Sequence, residues 1–130
     1  MAAAFQASLH VLHVVTEPLH EAWAGYASAA DLLQTVDALK DQARDRLLAE
    51  LSADQQSPVE MAVATAWGDP VDEIVKYARA HQIDMIVCGT HGRSGWDHVL
   101  MGSVAERIVR VAQCPVLTVH HEATARAAAA

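Results

Sequence analysis

Hydrophobic and polar positions along this chain follow two alternating rhythms. Ser8-Leu-His-Val-Leu-His-Val-Val-Thr16 is apolar on both faces and rich in β-branched residues, which predicts a buried strand. Residues 17–30, with Pro18, Trp23, Gly25 and Tyr26, read as a long connection. From Asp31 to Ser52 the residues Leu32, Val36, Leu39, Ala43, Leu47 and Leu51 recur every three or four positions, predicting an amphipathic helix whose solvated face carries Asp37, Asp41, Asp45 and Glu50. Val59, Met61, Val63, Thr65 and Trp67 recur at period two and predict a strand with these five on one face. Gly68 turns the chain, Asp69 is placed to cap the next helix, and Pro70 takes the first helical position, where a missing N–H costs nothing. Val71, Ile74, Val75 and Ala78 form the buried stripe of that helix.

The remainder repeats the alternation. Asp84–Cys88 predicts a short strand and Gly89–Met101 a glycine-bearing loop. Ser103–Gln113 predicts a helix burying Val104, Ile108 and Val111, and Cys114–His120 a last strand. Residues 121–130 read as a frayed, disordered tail. Strands and helices in alternation define an α/β fold, a parallel sheet with helices on both faces in three layers, joined by right-handed crossovers. Ligands of such sheets lie beyond the carboxyl ends of the strands, where the loop after Cys88 begins.

Composition supports one domain over residues 1–130. Of 68 hydrophobic residues 26 are alanine, but 15 Val, 11 Leu and 4 Ile remain, enough for one β-branched core. No apolar run approaches the ~18–20 residues that cross a bilayer, and Met1-Ala-Ala-Ala-Phe-Gln lacks the basic start of a secretory signal, so neither a membrane span nor export is expected. A net charge of −7 without a basic run makes nucleic acid a poor partner, though backbone N–H groups can still build a local anion site. Cys88 and Cys114 read as buried free thiols of a reducing cytoplasm, ahead of a disulfide or a reactive thiol.

The segment that carries chemistry is Gly89-Thr-His-Gly92-Arg-Ser-Gly95-Trp-Asp-His-Val-Leu-Met-Gly102-Ser103. Glycines let a main chain adopt positive φ and approach a ligand closely, and the free N–H groups of the next helix favour an anion there. Ser103 adds a hydroxyl for a phosphate or a cation, and Arg93 a charge-assisted contact. The competing reading is structural: Ser103-Val-Ala-Glu106 matches a capping box, and Gly89 and Gly92 fit a tight turn. Neither a P-loop nor a dinucleotide fingerprint is present. Trp96, Val99, Leu100 and Met101 are apolar for a loop and suit packing on the sheet or on a dimer partner better than a ligand lid.

Gly89-x2-Gly92-x9-Gly102-Ser103 resembles the ATP-binding signature of the universal stress protein family, Cys-Pro-Val-Leu-Thr-Val after it resembles the family's sequence there, and Gly68-Asp-Pro70 before it resembles the family's turn after the preceding strand. The resemblance runs from about Leu9 to His120. It implies an adenine nucleotide alpha hydrolase-like fold and a cytoplasmic stress-response protein that binds ATP, with or without Mg2+, and dimerises through its last, edge strand. By position, Gly89, Gly92, Gly102, Ser103 and Val104 correspond to ribose and phosphate contacts, Arg93 lies within the motif, and Val14 and Val15 match the segment lining the adenine. The family's first strand and most of its first helix have no counterpart ahead of Ser8, beyond the helix end at Ala2–Ala7, which leaves four strands instead of five. In the family order 3-2-1-4-5 that strand is the central one and carries an aspartate near the adenine, so two strands here are expected to show open edges.

Other chemistries find less support. His10 and His13 lie three apart on a strand and point to opposite faces. His91 and His98 share a loop without a zinc-like spacing of further ligands, and His120 and His121 are adjacent at a strand end. No nucleophile–base pair or carboxylate pair enters the loop. The reading is therefore an ATP-binding regulator or sensor, not an enzyme, with a non-nucleotide dimeric interaction module as the alternative and a weak ATPase as a third.

Overall fold

The computed structural model describes residues 2–16, 28–52, 59–90 and 103–119. It comprises two compact units, residues 1–73 and 74–130. The elements are α1 (Ala2–Phe5), β1 (Leu9–Val15), α2 (Ala29–Ser52), β2 (Met61–Trp67), α3 (Pro70–Ala80), β3 (Ile86–Gly89), α4 (Ser103–Val111) and β4 (Val116–Val119). The expected α/β alternation with four strands is thus present among the described residues, and the strands hydrogen-bond as two parallel pairs, β1–β2 and β3–β4. Among the described residues no helix is long and apolar enough to cross a membrane.

In the first unit β1 and β2 run parallel, in register from Leu9↔Met61 to Val15↔Trp67. The ladder is closed at its ends by Leu9 N–H donating to Glu60 O at 2.8 Å and Gly68 N–H donating to Val15 O at 3.2 Å. Helix α2 packs on both strands. Its predicted stripe, Leu32 to Leu51, is half-buried, whereas Leu33 and Leu48 lie off the stripe and are exposed. The helix starts two residues earlier than its periodicity suggests. Ser28 caps it: Asp31 N–H donates to Ser28 Oγ at 3.2 Å, and the Ser28 hydroxyl donates to the Asp31 carboxylate at 2.8 Å. Burial does not distinguish the two faces of β2: residues 62–67 are all half-buried and Met61 is exposed.

The start of α3 follows its sequence signature. Gly68 has φ +140, a conformation that strains any residue with a Cβ, and a Cβ built there would sit 3.4 Å from Glu73 Cγ. Asp69 Oδ1 accepts from Val71 N–H at 3.0 Å and from Asp72 N–H at 3.1 Å, with Pro70 between them. Asp69→Ala is expected to cost about 1 kcal/mol, read as a lower urea midpoint by circular dichroism, while Asp69→Asn keeps most of it. An unchanged midpoint in the alanine variant would show that the cap contributes nothing.

In the second unit β3 and β4 pair in parallel from Ile86↔Val116 to Gly89↔Val119. Helix α4 packs on β4 and buries Ala105 and Ile108, the latter with 0% exposure. Val104 and Val111, expected inside with Ile108, are 37% and 51% exposed. The inward face is rotated by about one residue from the most hydrophobic stripe, because alanine at 105 lets the helix approach the sheet closely. Helix α3 ends in a Schellman motif: Gln82 takes φ +51, its N–H donates to Arg79 O at 3.3 Å, and Ile83 N–H donates to Ala78 O at 2.9 Å.

Candidate functional site

Of the candidate residues, Val14 and Val15 end β1 in the first unit, and Gly89 ends β3 while Ser103 and Val104 open α4 in the second. Gly89 is the last residue of β3, exposed and paired with Val119. Among the described glycines only Gly68 has positive φ, so Gly89 sits in extended backbone and not in the tight turn considered for it. The next residue, Thr90, is buried at 8% exposure; its N–H donates to Val119 O at 2.9 Å and its hydroxyl lies 3.5 Å from the same carbonyl. Thr90 ties the strand end to β4 and sets where the backbone leaves the sheet. A threonine at a strand end has no distinctive sequence signature; its only flag is its place after Gly89.

Ser103 and Val104 open α4, both exposed. The first-turn N–H groups of a helix lack intrahelical acceptors and carry the positive end of its dipole. The capping box expected at Ser103–Glu106 is not formed. Glu106 Oε1 instead accepts from Arg110 Nη2 at 2.6 Å, an i,i+4 ion pair on the helix surface. Among the described residues no group engages the Ser103 hydroxyl. The glutamate that would have closed the amino end is drawn one turn along by arginine, and its charge is compensated there.

Val14 and Val15 are half-buried at the carboxyl end of β1, in register with Ala66 and Trp67 of the same, first unit. Gly92, Arg93 and Gly102 lie outside the described residues, as do Trp96, Val99, Leu100, Met101 and the histidines at 91, 98, 120 and 121. Cys88 and Cys114 are free and half-buried instead of fully buried. Burial pushes the Cys88 thiol above its ordinary pKa, so it stays protonated at neutral pH, the state in which a thiol is a poor nucleophile. Among the described residues no group of three or more His, Cys, Asp or Glu side chains is placed to hold a metal ion.

The described geometry is that of an α/β chain in which a glycine ends β3 and a serine opens α4, with a glycine-spaced stretch of sequence between them. Residues 1–120 match the universal stress protein family, and the chain belongs to that family. A universal stress protein of Methanocaldococcus jannaschii is 37% identical over 81 residues, which are 62% of this chain and 48% of that protein. The chain thus spans about half the length of that relative. A universal stress protein A homolog of Coxiella burnetii is 35% identical over 119 residues, 92% of this chain and 80% of that protein. Among solved structures, universal stress protein UspA from Lactobacillus plantarum superposes with a TM-score of 0.67 at 28% identity, covering 91% of this chain and 81% of that one. A universal stress protein crystallised in complex with cAMP is similar at a TM-score of 0.53 and 26% identity, covering 93% and 79%.

Proposed function

We propose that this chain binds an adenine nucleotide, ATP or a close relative with or without Mg2+, and acts as a stress-response regulator that works by binding and not by turnover. The observation that carries the reading is the start of α4, where Ser103 and the first-turn N–H groups directly follow the glycine-spaced segment and Glu106 is held away by Arg110. Membership of the family and the cAMP complex of a relative support a nucleotide as the anion. In this reading Gly89, Gly92, Gly102, Ser103 and Val104 contact ribose and phosphates, Arg93 adds a positive charge, and Val14 and Val15 line the base. In this reading regulation rests on the nucleotide's different affinity for two states of the chain, the only way a ligand shifts an equilibrium.

The states differ, in this proposal, in the contacts of a homodimer formed through β4. That strand pairs with β3 alone among the described strands, and Val119 at its end is 48% exposed; open strand edges favour pairing. Nucleotide class is tested by displacement of a fluorescent ATP analogue. ATP and AMP are expected to compete, and GTP at least about tenfold less well, the effect of one mismatched base hydrogen bond. Equal competition by GTP would contradict adenine recognition, and failure of the analogue to bind would favour the non-nucleotide interaction module.

A further inference from the structure

At the end of β3 opposite Gly89, the second unit holds a cavity of about 190 Å³ that nothing in the nucleotide reading uses. Its walls are Val75 and Ala78 from α3, Ile83 and Ile86 from the turn and the start of β3, and Ala112 after α4. An apolar cavity of roughly 150 Å³ accommodates a benzene ring, so this one has room for a compact apolar body slightly larger than that. Arg79 is the one charged residue of the lining, and Gln82 and Gln113 supply amides. Arg79 is exposed, and among the described residues no ion pair engages its guanidinium.

We propose that this cavity binds a small monocarboxylate, its branched or aromatic body seated against Ile83, Ile86 and Ala112 and its carboxylate held by Arg79. Apolar walls with a few polar groups to fix orientation are the usual composition of a small-molecule site. Guanidinium pairs with carboxylate through two parallel hydrogen bonds, which a neutral amide cannot match. Two helix ends lie beside the cavity, and helix carboxyl ends ordinarily repel anions. Three of the last four carbonyls of α3 and one of the last four of α4 have partners here. Tyr77 O, Ala78 O and Arg79 O accept from His81, Ile83 and Gln82 N–H, and Ile108 O accepts from Ala112 N–H. Gln82 in its left-handed conformation closes that cap and lines the cavity.

The chain has four isoleucines, Ile74, Ile83, Ile86 and Ile108, of which Ile83 and Ile86 line the cavity. Labelling their δ1 methyls with 13C gives a spectrum with two reporters and two internal controls. Titration with 4-methylpentanoate is expected to shift the Ile83 and Ile86 methyls saturably in the millimolar range, more than those of Ile74 and Ile108. Its neutral amide is expected to bind about tenfold more weakly, and Arg79→Gln, at an exposed position, to abolish that preference while the Ile74 and Ile108 signals stay in place. Ala112→Leu, which fills the cavity, removes both responses. Methyls that do not move, or move without saturating, would overturn the site. Equal binding of acid and amide, or a preference that survives Arg79→Gln, would overturn the carboxylate assignment. Shifts that follow protein concentration would overturn it in favour of a second copy of the chain.

Discussion

Ile108→Ala is expected to cost about 2–5 kcal/mol of stability, the range for emptying a fully buried aliphatic site. Ile108 has 0% exposure, and the buried hydrophobic residues among those described are few: Val71, Ile86, Ala105 and Ile108. With so small a core a lost side chain cannot be compensated by neighbours closing in, and a domain of ordinary stability holds only about 5–15 kcal/mol in total. The variant is therefore expected to lose most of the cooperativity of its urea transition at room temperature. Val109→Ala, one residue along the same helix and 48% exposed, is the control, with an expected change under about 0.5 kcal/mol. Equal effects at 108 and 109 would mean that α4 is not seated on β4 through the face described.

Gly102→Val is expected to lower nucleotide affinity by about a hundredfold or more, leaving the far-ultraviolet spectrum unchanged. The residue directly precedes Ser103, the first of α4, and in the proposed site replacing glycine by a β-branched residue denies a phosphate close approach to the backbone. Two charge-assisted hydrogen bonds lost at about 1.5 kcal/mol each already amount to a factor of ~100. Ser103→Ala removes a single hydroxyl contact and is expected to cost about tenfold. The ordering of the two variants is the informative part. A serine variant weaker than the glycine variant would shift the weight of binding from the backbone to the side chain.

Local chemistry was legible wherever a short motif has one physical outcome. Gly68-Asp-Pro70 is such a case: the positive φ, the cap on Val71 and Asp72 and the proline at the first turn all appear where residue type demands them. Ser28 is the counterexample in the same category. Its Ser-x-x-Asp spacing is a cap signal, but it precedes the apolar stripe of α2 by several residues, and the stripe drew the boundary to Asp31. Ser103–Glu106 carries the opposite lesson. The box spacing is intact, yet Glu106 has Arg110 four residues on, and the arginine pair wins over the backbone cap.

Long-range pairing was less legible, because it depends on partners far along the chain. Strand existence followed from β-branched runs, whereas the division into β1–β2 and β3–β4 followed only from the family order with its central strand left out, not from any local pattern. The phase of α4 went astray for a related reason: hydrophobicity points to Val104 and Val111, and only the sheet beneath selects Ala105. Of the candidate site, the glycine spacing and Ser103 were readable, while Thr90 and the cavity beside Arg79 arise from tertiary packing without a local signature.

Nucleotide binding by this chain is tested by calorimetric titration of the folded 130-residue protein with Mg-ATP. Saturable heat with near-unit stoichiometry per chain, lost in Gly102→Val, is the predicted result. A chain that circular dichroism finds folded, yet gives no binding heat at several temperatures, would contradict it.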